Sequence, residues 1–302
     1  MTTKIIAGGL ETAMRTVEYP GFAVHNATPL DMPVLVSVPH AGRDYPDEIF
    51  ASLRLPPASL LRLEDRYADL LIREVVSDGA PTIIAHRARA WIDLNRDERD
   101  IDVEMVIGLN RHDYPAASAK QRGGLGLIPR RLAGEGDIWT RQLTAADVDS
   151  RIASYHRPYH TQIAKTLRQM RQKFGVAILL DLHSMPPIRD RVANPVPQFV
   201  IGDRFGRSAS SRFAELSSAQ IRAYGFHVAL NHPYSGDYIL RRHAAAGRNI
   251  HALQIEVDRS LYLDSALREP GAGVARIGRL LADIVAKLVD EALGYPTLIA
   301  AE

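Results

Sequence analysis

The sequence predicts an α/β fold in which helices cover both faces of a mostly parallel, mixed central sheet. Two observations support this three-layer αβα prediction. Apolar segments too short for helices alternate with longer segments that have helical spacing. Several of the apolar segments also carry almost no polar residue, which is typical of strands buried on both faces. We expect a single catalytic domain over residues 1–302, with an irregular insertion at about 97–150.

The first half of the chain contains three apolar segments that end in proline or polar residues. These are predicted strands: PVLVSVPH (33–40), PTIIAHRA (81–88) and AWIDLNRD (90–97). Between the first two, residues 63–80 have apolar side chains at helical spacing up to Gly79, which predicts a helix. The insertion mixes arginine, aspartate and glycine and is too long for a simple connection. We therefore expect it to be either an active-site loop or a mobile segment.

In the second half, VAILLDLHS (176–184) is an apolar predicted strand that follows a long predicted helix ending at Gly175. The remaining elements are two strands and two amphipathic helices: strands within 197–203 and 251–263, and helices at 208–224 and 274–293. In parallel α/β sheets, ligands bind beyond the carboxyl ends of the strands. Polar residues at these ends are therefore the candidates for chemistry.

Composition narrows the classes of function. The formal net charge is only +2 and lysine and arginine form no runs, which disfavours a dedicated nucleic-acid surface. The absence of cysteine excludes disulfides, thiol nucleophiles and cysteine metal sites, so a metal would need histidine and carboxylate ligands. No segment approaches the roughly 18 apolar residues of a membrane span. We predict a cytoplasmic protein that binds neither nucleic acid nor membrane.

Two histidines stand at the ends of predicted buried strands, His40 in PHAG and His183 in DLHS. A strand end holds an imidazole rigidly and leaves one face open, as a metal ligand requires. Either histidine alone could simply bond a neighbouring carbonyl, but their common placement favours a metal site. Glu64 or Asp65, at the start of the next predicted helix, could supply a carboxylate ligand. Acids also favour the positive end of a helix without any metal.

The segment IDLNRDERD places Asn95 and Arg96 directly after a predicted strand. The planar fork of arginine grips a carboxylate with two hydrogen bonds, and an amide donor can support it. The pair is therefore a candidate substrate anchor. The competing interpretation is an internal ion pair between Arg96 and a neighbouring acid.

Glu256 lies inside the alternating segment QIEVDRSLY, where an unpaired carboxylate would be costly. We interpret it as a general base that faces a polar cavity, with its pKa raised by partial burial. The alternative is a buried ion pair with Arg259 or another arginine.

Two glycine-containing segments, GDRFGRSA and NHPYSGDY, supply further candidates. Arg204, Asn231 and Tyr234 are expected to line a pocket for a polar substrate. Plain turn formation explains the glycines of these segments equally well.

Nine motifs, in one order between residues 37 and 262, together resemble the N-formylglutamate amidohydrolase family. They are SVPHAGRDYP, EDRYADLL, DLNRD, GLGLIP, the YHRPYH helix, DLHSMPP, GDRFGRSA, NHPYSGDYI and QIEVDRSLY. That family resembles the zinc carboxypeptidases and related deacylases in fold. The resemblance therefore implies a phosphorylase/hydrolase-like, zinc-carboxypeptidase-like sheet.

The resemblance also implies roles for individual motifs. DLNR is similar to the asparagine–arginine carboxylate clamp of the carboxypeptidases, DLHS to their second zinc histidine, and QIE to their catalytic glutamate strand. The first metal motif departs from their pattern, because Arg43 stands where they have a glutamate ligand. The family's acid-Tyr-Asp segment makes Asp65 the first choice for the carboxylate ligand, with Glu64 second and Asp44 third.

The implied function is a zinc-dependent amidohydrolase with one Zn²⁺ held by His40, Asp65 and His183, and with Glu256 as the base. Its expected substrate is a small anionic N-acyl amino acid, foremost N-formyl-L-glutamate, cleaved to formate and L-glutamate in histidine catabolism. The alternatives are a related zinc deacylase or carboxypeptidase with another substrate preference, and a non-catalytic binding protein on the same fold. An arginase-like two-metal hydrolase is disfavoured, because Met185 stands where its DxHxD pattern requires an acid.

Overall fold

The computed structural model describes residues 15–188 and 195–294. The expected domain bounds also include residues 1–14, 189–194 and 295–302, which lie outside the described residues. The described residues form these strands: β1 (Thr16–Tyr19), β2 (Phe22–His25), β3 (Val34–Val38), β4 (Thr82–Ala85), β5 (Val106–Ile107), β6 (Arg131–Leu132), β7 (Gly136–Asp137), β8 (Leu143–Thr144), β9 (Ala177–Met185), β10 (Phe199–Gly202), β11 (Val228–Leu230) and β12 (Ile250–Asp258).

The α-helices of the same residues are mostly short, apart from three of more than ten residues. They are α1 (Asp47–Ala51), α2 (Ala68–Leu71), α3 (Arg73–Ser77), α4 (Ala119–Arg122), α5 (Ala145–Arg151), α6 (Arg157–Phe174), α7 (Ser211–Ala223), α8 (Tyr238–His243) and α9 (Val274–Leu293). Short 3₁₀ helices begin at Pro57, Val103, Arg111, Ala246 and Arg259. A π-helical turn, Ile152–His156, joins α5 to α6. None of the described helices is both long and apolar enough to cross a bilayer.

Eight strands form one mixed sheet in the order β1-β2-β4-β3-β9-β12-β10-β11. At its centre, β9 runs parallel to both β3 and β12. The pairs β3/β4 and β10/β11 are also parallel, whereas the β1/β2, β2/β4 and β10/β12 pairs are antiparallel. Every residue of β9 is buried, as its apolar sequence indicates for a strand covered on both faces.

Helices cover both faces of this sheet, so the predicted three-layer αβα architecture is confirmed. On one face, α2, α3, α7 and α9 enclose a cluster that includes Leu180, Ile255 and Leu281. On the other face, α6, α8 and apolar side chains of the insertion pack around Leu179 and Tyr159. The central strand β9 therefore contributes side chains to the core on both faces of the sheet.

The helix predicted over residues 63–80 is interrupted. A turn at 63–67 precedes α2, and Tyr67 has a left-handed backbone conformation (φ 59°), which no continuous right-handed helix accommodates. Within this turn, the backbone N–H of Asp65 donates to the carbonyl oxygen of His40 (2.9 Å). The interruption therefore ties the candidate carboxylate to the end of β3.

The strand predicted over residues 90–97 is wrong, because this segment forms turns. Both edges of β4 are already paired, with β3 on one side and β2 on the other, so the sheet offers no edge for another strand there. The segment bonds to the insertion instead, and the backbone N–H of Asp93 donates to the carbonyl oxygen of Leu127 (2.7 Å).

The insertion is folded onto the sheet rather than extended from it. It forms two small two-stranded sheets, β5 with β8 and β6 with β7, and short helical segments. Its side chains Leu127 and Ile138 are fully buried in the core on the α6 side of the sheet. The insertion was expected to be either an active-site loop or a mobile segment. The burial of these side chains in the core favours the active-site loop.

Leu180→Ala tests the central position of β9. Leu180 is 1% exposed, and truncating a buried leucine should lower the free energy of unfolding by about 2–5 kcal/mol. Leu230→Ala is the matched control, because Leu230 is 52% exposed on the edge strand β11 and should change stability by no more than about 0.5 kcal/mol. Denaturant unfolding of both variants measures the difference, and equal losses would contradict this account of the core.

Candidate metal centre and active site

The candidate residues meet at the carboxyl ends of the three central strands. His40 follows β3, His183 lies near the end of β9, and Glu256 lies in β12 directly opposite His183 in the strand register. The turn before α2 adds Asp65. All four side chains are buried, so the site is formed where the sheet holds its residues most rigidly.

Two histidines and one carboxylate form a compact set of potential metal ligands. Their ligand atoms all lie within 4.8 Å of one another. Asp65 Oδ2 is 3.0 Å from His183 Nδ1 and 3.5 Å from His40 Nδ1. The buried His40 Nδ1 has no hydrogen-bond partner among the described residues. An orphaned imidazole nitrogen beside a second imidazole and a carboxylate fits a bound divalent metal ion.

Buried aspartates orient both rings. His40 Nε2 donates to Asp93 Oδ1 (2.7 Å), and His183 Nε2 donates to Asp181 Oδ2 (2.8 Å). Each bond places the proton on Nε2 and turns Nδ1 towards Asp65, which is the usual arrangement behind metal-binding histidines. Asp93 and Asp181 were not among the predicted site residues. The spacing of Asp181 and His183 is the signal for one of them, since residues two apart share a face of a strand.

Further polar contacts stabilise these aspartates. Ser37 Oγ donates to Asp181 Oδ1 (2.8 Å) and lies 3.0 Å from the Tyr159 hydroxyl. Arg89 Nε donates to Asp93 Oδ2 (2.7 Å). Burial alone would raise the pKa of Asp93, but the charge of Arg89 and the contact with His40 hold that pKa well below its ordinary range. Asp93 is therefore a permanent acceptor for His40.

The charge of the candidate ligand Asp65 is similarly secured. Burial acts to raise its pKa, but the close contacts with His183 and His40 outweigh burial and keep the pKa well below the ordinary value. On its other oxygen, Asp65 Oδ1 accepts from Arg259 Nη2 (3.1 Å) and Ser184 Oγ (3.2 Å). Arg259 thus pairs with the candidate ligand, a contact that the sequence did not indicate.

The two other carboxylates considered as ligands point elsewhere. Glu64 is buried, but its oxygens accept from the Tyr45 hydroxyl and from Arg66 Nη1 (2.9 Å). Asp44 has a half-exposed side chain that forms an ion pair with Arg87 (3.1 Å). The structure therefore does not support Glu64 or Asp44 as the carboxylate ligand. The turn at 63–67 brings Asp65 to the histidines and turns Glu64 away.

Glu256 is placed for proton transfer. Burial, reinforced by the charge of Asp65, raises its pKa to about 7, although His183 and Arg259 act in the opposite direction. Gln254 Nε2 donates to Glu256 Oε1 (2.9 Å) and so orients the carboxylate. Within residues 15–188 and 195–294, no arginine forms an ion pair with Glu256, and Arg259 pairs with Asp65 instead. The structure therefore does not support the alternative interpretation of Glu256 as part of a buried ion pair with an arginine.

Asn95 and Arg96 are buried at the edge of the same site. Asn95 Oδ1 accepts from the backbone N–H of Ile239 (2.8 Å), and Asn95 Nδ2 lies 3.3 Å from His183 Nε2. Arg96 Nη1 donates to Asp237 Oδ2 (2.8 Å). A second carboxylate, Asp93, lies within ion-pair distance, with its Oδ2 3.9 Å from Arg96 Nε. The chain itself therefore supplies Arg96 with two carboxylates, one from a distant loop and one from the neighbouring acid of the competing interpretation.

Two buried histidines hold the backbone on either side of Asn95, and a third bonds to one of them. His156 Nε2 donates to the carbonyl oxygen of Arg96 (2.8 Å), and His160 Nε2 donates to that of Leu94 (3.0 Å). Burial holds the pKa of His160 well below its ordinary value, so its ring is neutral and Nδ1 must accept from His243 Nε2 (2.9 Å). These contacts make the turn rigid.

A cavity of about 350 Å³ opens above the metal-ligand set. Its walls come from the strand ends, the insertion and the loop before α8. The residues that line it are His40, Arg62, Asp65, Arg89, Asn95, Arg96, Lys120, Leu125, His183, Ser184, Met185, Pro186, Pro233, Tyr234, Ser235, Gly236, Asp237, Gln254, Glu256 and Arg259.

Two of the expected pocket residues, Arg204 and Asn231, do not line this cavity. Asn231 Oδ1 accepts from the backbone N–H groups of Asp203 and Phe205 (3.0 and 3.2 Å). The backbone N–H of Arg204 donates to the carbonyl oxygen of Ser235 (2.8 Å). Both residues therefore stabilise the turn packed against the loop that carries Tyr234, and the expectation that they line the pocket is corrected.

The order and spacing of these residues match a known family. The model of the N-formylglutamate amidohydrolase family matches residues 32–263. The chain belongs to this family. Every candidate residue of the cavity described above lies inside the matched region.

Individual members of the N-formylglutamate amidohydrolase family resemble this chain over most of its length. N-formylglutamate deformylase of Pseudomonas putida is 30% identical over 238 residues, covering 77% of this chain and 82% of the relative. The enzyme of the same name from Pseudomonas aeruginosa is 28% identical over 272 residues, covering 87% and 94%.

Solved structures agree with this assignment. The crystal structure of N-formylglutamate amidohydrolase from Ralstonia eutropha superposes with a TM-score of 0.83 at 30% identity, covering 90% of this chain and 98% of that one. A gene product of Agrobacterium tumefaciens shares the fold, with a TM-score of 0.63 at 18% identity and coverage of 90% and 95%.

Asp65→Ala tests the ligand set of this family member. Removing one of three ligands should lower metal affinity by at least about 100-fold, because the two histidines alone leave the ion undercoordinated. Asp44→Ala is the matched control and should keep the affinity of the parent chain. Metal content after dialysis against a weak chelator measures both, and full retention by Asp65→Ala would exclude Asp65 as a ligand.

Proposed function

We propose that this chain hydrolyses the amide bond of a small N-acyl amino acid, foremost N-formyl-L-glutamate, to formate and L-glutamate. The observation that carries the proposal is the orphaned His40 Nδ1 beside Asp65 and His183, with the raised-pKa carboxylate of Glu256 on the adjacent strand. The names of the relatives at about 30% identity support the choice of substrate.

We propose that the cofactor is one zinc ion held by His40, Asp65 and His183. Three protein ligands of nitrogen and oxygen type with an open fourth position are typical of catalytic zinc sites. When bound, zinc would polarise the substrate carbonyl and lower the pKa of a water molecule to about 7. The cysteine-free sequence and the donor set agree with this ion.

The proposed role of Glu256 is proton transfer during addition of water. Its carboxylate accepts a proton from the attacking water while the water oxygen bonds to the formyl carbon. The protonated Glu256 then donates that proton to the amine nitrogen as the carbon–nitrogen bond breaks, which releases formate and glutamate. A pKa near 7 suits both steps, since the group must accept and then donate a proton at neutral pH.

The pocket also fits an anionic substrate. Five cationic side chains line it against three carboxylates, Asp65, Asp237 and Glu256, so its walls carry an excess of positive charge before any metal is added. Such a cavity attracts anions. We propose that Asn95 and Arg96 bind the substrate's α-carboxylate and that Tyr234 forms part of the same wall.

Formate release tests the proposed function directly. The zinc-loaded chain should release formate and glutamate from N-formyl-L-glutamate in equal amounts, a strong chelator should abolish release, and added zinc should restore it. Absence of formate from a preparation that contains one zinc per chain would reject the proposal.

Glu256→Gln tests the base. The amide keeps the shape of the side chain but cannot accept a proton, so kcat should fall by about 10²–10⁴ while zinc content stays at the parent level. Glu215→Gln, an exposed position on α7, is the matched control and should be unaffected. An unchanged kcat for Glu256→Gln would remove Glu256 from the reaction.

Arg96→Ala separates substrate anchoring from chemistry. The variant should retain zinc and lose about 10–100-fold in kcat/KM for N-formyl-L-glutamate, because a charged hydrogen-bonded contact to the carboxylate is removed. An uncharged formamide never uses this contact and should lose much less. Equal losses for the two substrates would show that Arg96 only supports the turn.

A further inference from the structure

Four of the five cations that line the active-site pocket are already paired with carboxylates of the chain. The pairs are Arg62 with Glu135 (2.5 Å), Arg89 with Asp93 (2.7 Å), Arg96 with Asp237 (2.8 Å) and Arg259 with Asp65 (3.1 Å). The fifth, Lys120, has no carboxylate within ion-pair distance anywhere in the described part of the chain. Its side chain is exposed at the cavity, and it is the one cation of this lining without an ion pair among the described residues.

The insertion connects the backbone of Lys120 to Arg96 through Leu125. The backbone N–H of Leu125 donates to the carbonyl oxygen of Lys120 (2.8 Å), and the carbonyl oxygen of Leu125 accepts from Arg96 Nε (2.8 Å). Leu125 therefore links the two cationic residues directly. Buried Gln121 fastens the same segment, because its Nε2 donates to the carbonyl oxygen of Ile101. The backbone of Lys120 is thus held in a defined position relative to Arg96.

We infer that Lys120 binds the side-chain carboxylate of the acyl amino acid, as a second anion subsite next to the one formed by Asn95 and Arg96. This inference rests on the proposed function. N-formylglutamate carries two carboxylates, and the α-carboxylate alone would leave Lys120 unmatched. An anionic side chain on the substrate completes the charge pairing of the wall, whereas a neutral side chain does not.

The chemistry of lysine suits this second contact. Arginine presents a rigid fork that fixes one carboxylate in a defined orientation, as the reacting end of the substrate requires. Lysine is a compact charge on a flexible stem, which can follow a side-chain carboxylate without constraining the scissile amide. Lys120 therefore acts on substrate choice and affinity, and the chemical step depends on other residues.

The test compares two substrates that differ in one charge, N-formyl-L-glutamate and its neutral isostere N-formyl-L-glutamine, on the zinc-loaded full chain. Lys120→Met should raise KM for N-formyl-L-glutamate by about tenfold and leave kcat and the constants for N-formyl-L-glutamine within about twofold. Lys120→Arg keeps the charge and should recover most of the loss. Lys165→Met, at an exposed position on α6, removes the same charge elsewhere and should change neither substrate.

Each result has a defined meaning. A Lys120→Met chain that keeps the parent preference for glutamate over glutamine, or that loses both substrates equally, would overturn the subsite. A smaller loss that Lys165→Met reproduces would also overturn it, because the effect would then come from net charge alone. If the parent chain releases formate from N-formyl-L-glutamine as readily as from N-formyl-L-glutamate, the subsite fails and the proposed amide hydrolysis stands. If it releases formate from neither, the proposed function itself fails, and the subsite fails with it.

Discussion

The site depends on the two buried hydrogen bonds that join His40 to Asp93 and His183 to Asp181. A neutral imidazole offers one donor and one acceptor, and each aspartate fixes the donor at Nε2. Both Nδ1 atoms are consequently turned towards Asp65. Without these bonds the rings could rotate, and the three ligand atoms would not form one set.

Two buried carboxylates of the site are each paired with an arginine. Arg89 neutralises Asp93, and Arg259 neutralises the outer oxygen of Asp65. An isolated charge at this depth would cost several kcal/mol, whereas a hydrogen-bonded pair recovers much of that cost. Glu256 is the exception: it accepts a hydrogen bond from Gln254 but has no ion pair among the described residues, and its pKa rises to about 7. A buried carboxylate with this pKa is suited to accept and donate a proton.

The turn at residues 93–96 joins the candidate metal ligands to the wall of the cavity. Asp93 orients His40, Asn95 contacts the loop before α8, and Arg96 reaches Asp237. Buried histidines from the π-helical turn and α6 hold its carbonyl groups from behind. π-Helical turns recur at functional sites because they shift side chains relative to a regular helix. Here the π-helical turn contacts the cavity wall through the bond from His156 to Arg96, and on its other side it packs against the core.

The sequence by itself determined the layers of the fold, the β9 strand, the placement of His40 and His183 at the carboxyl ends of strands, and the placement of Glu256 within a strand. These features follow from apolar periodicity and from the rule that parallel strands end at one edge, and both are local patterns. Only the tertiary structure decided between Asp65 and Glu64, because a single left-handed residue, Tyr67, sets where the adjacent turn points. It also decided that residues 90–97 form turns, since both edges of β4 were occupied by strands distant in the sequence. The pairing of Arg96 with Asp237 was undetermined for the same reason: it joins distant segments, which no local pattern encodes.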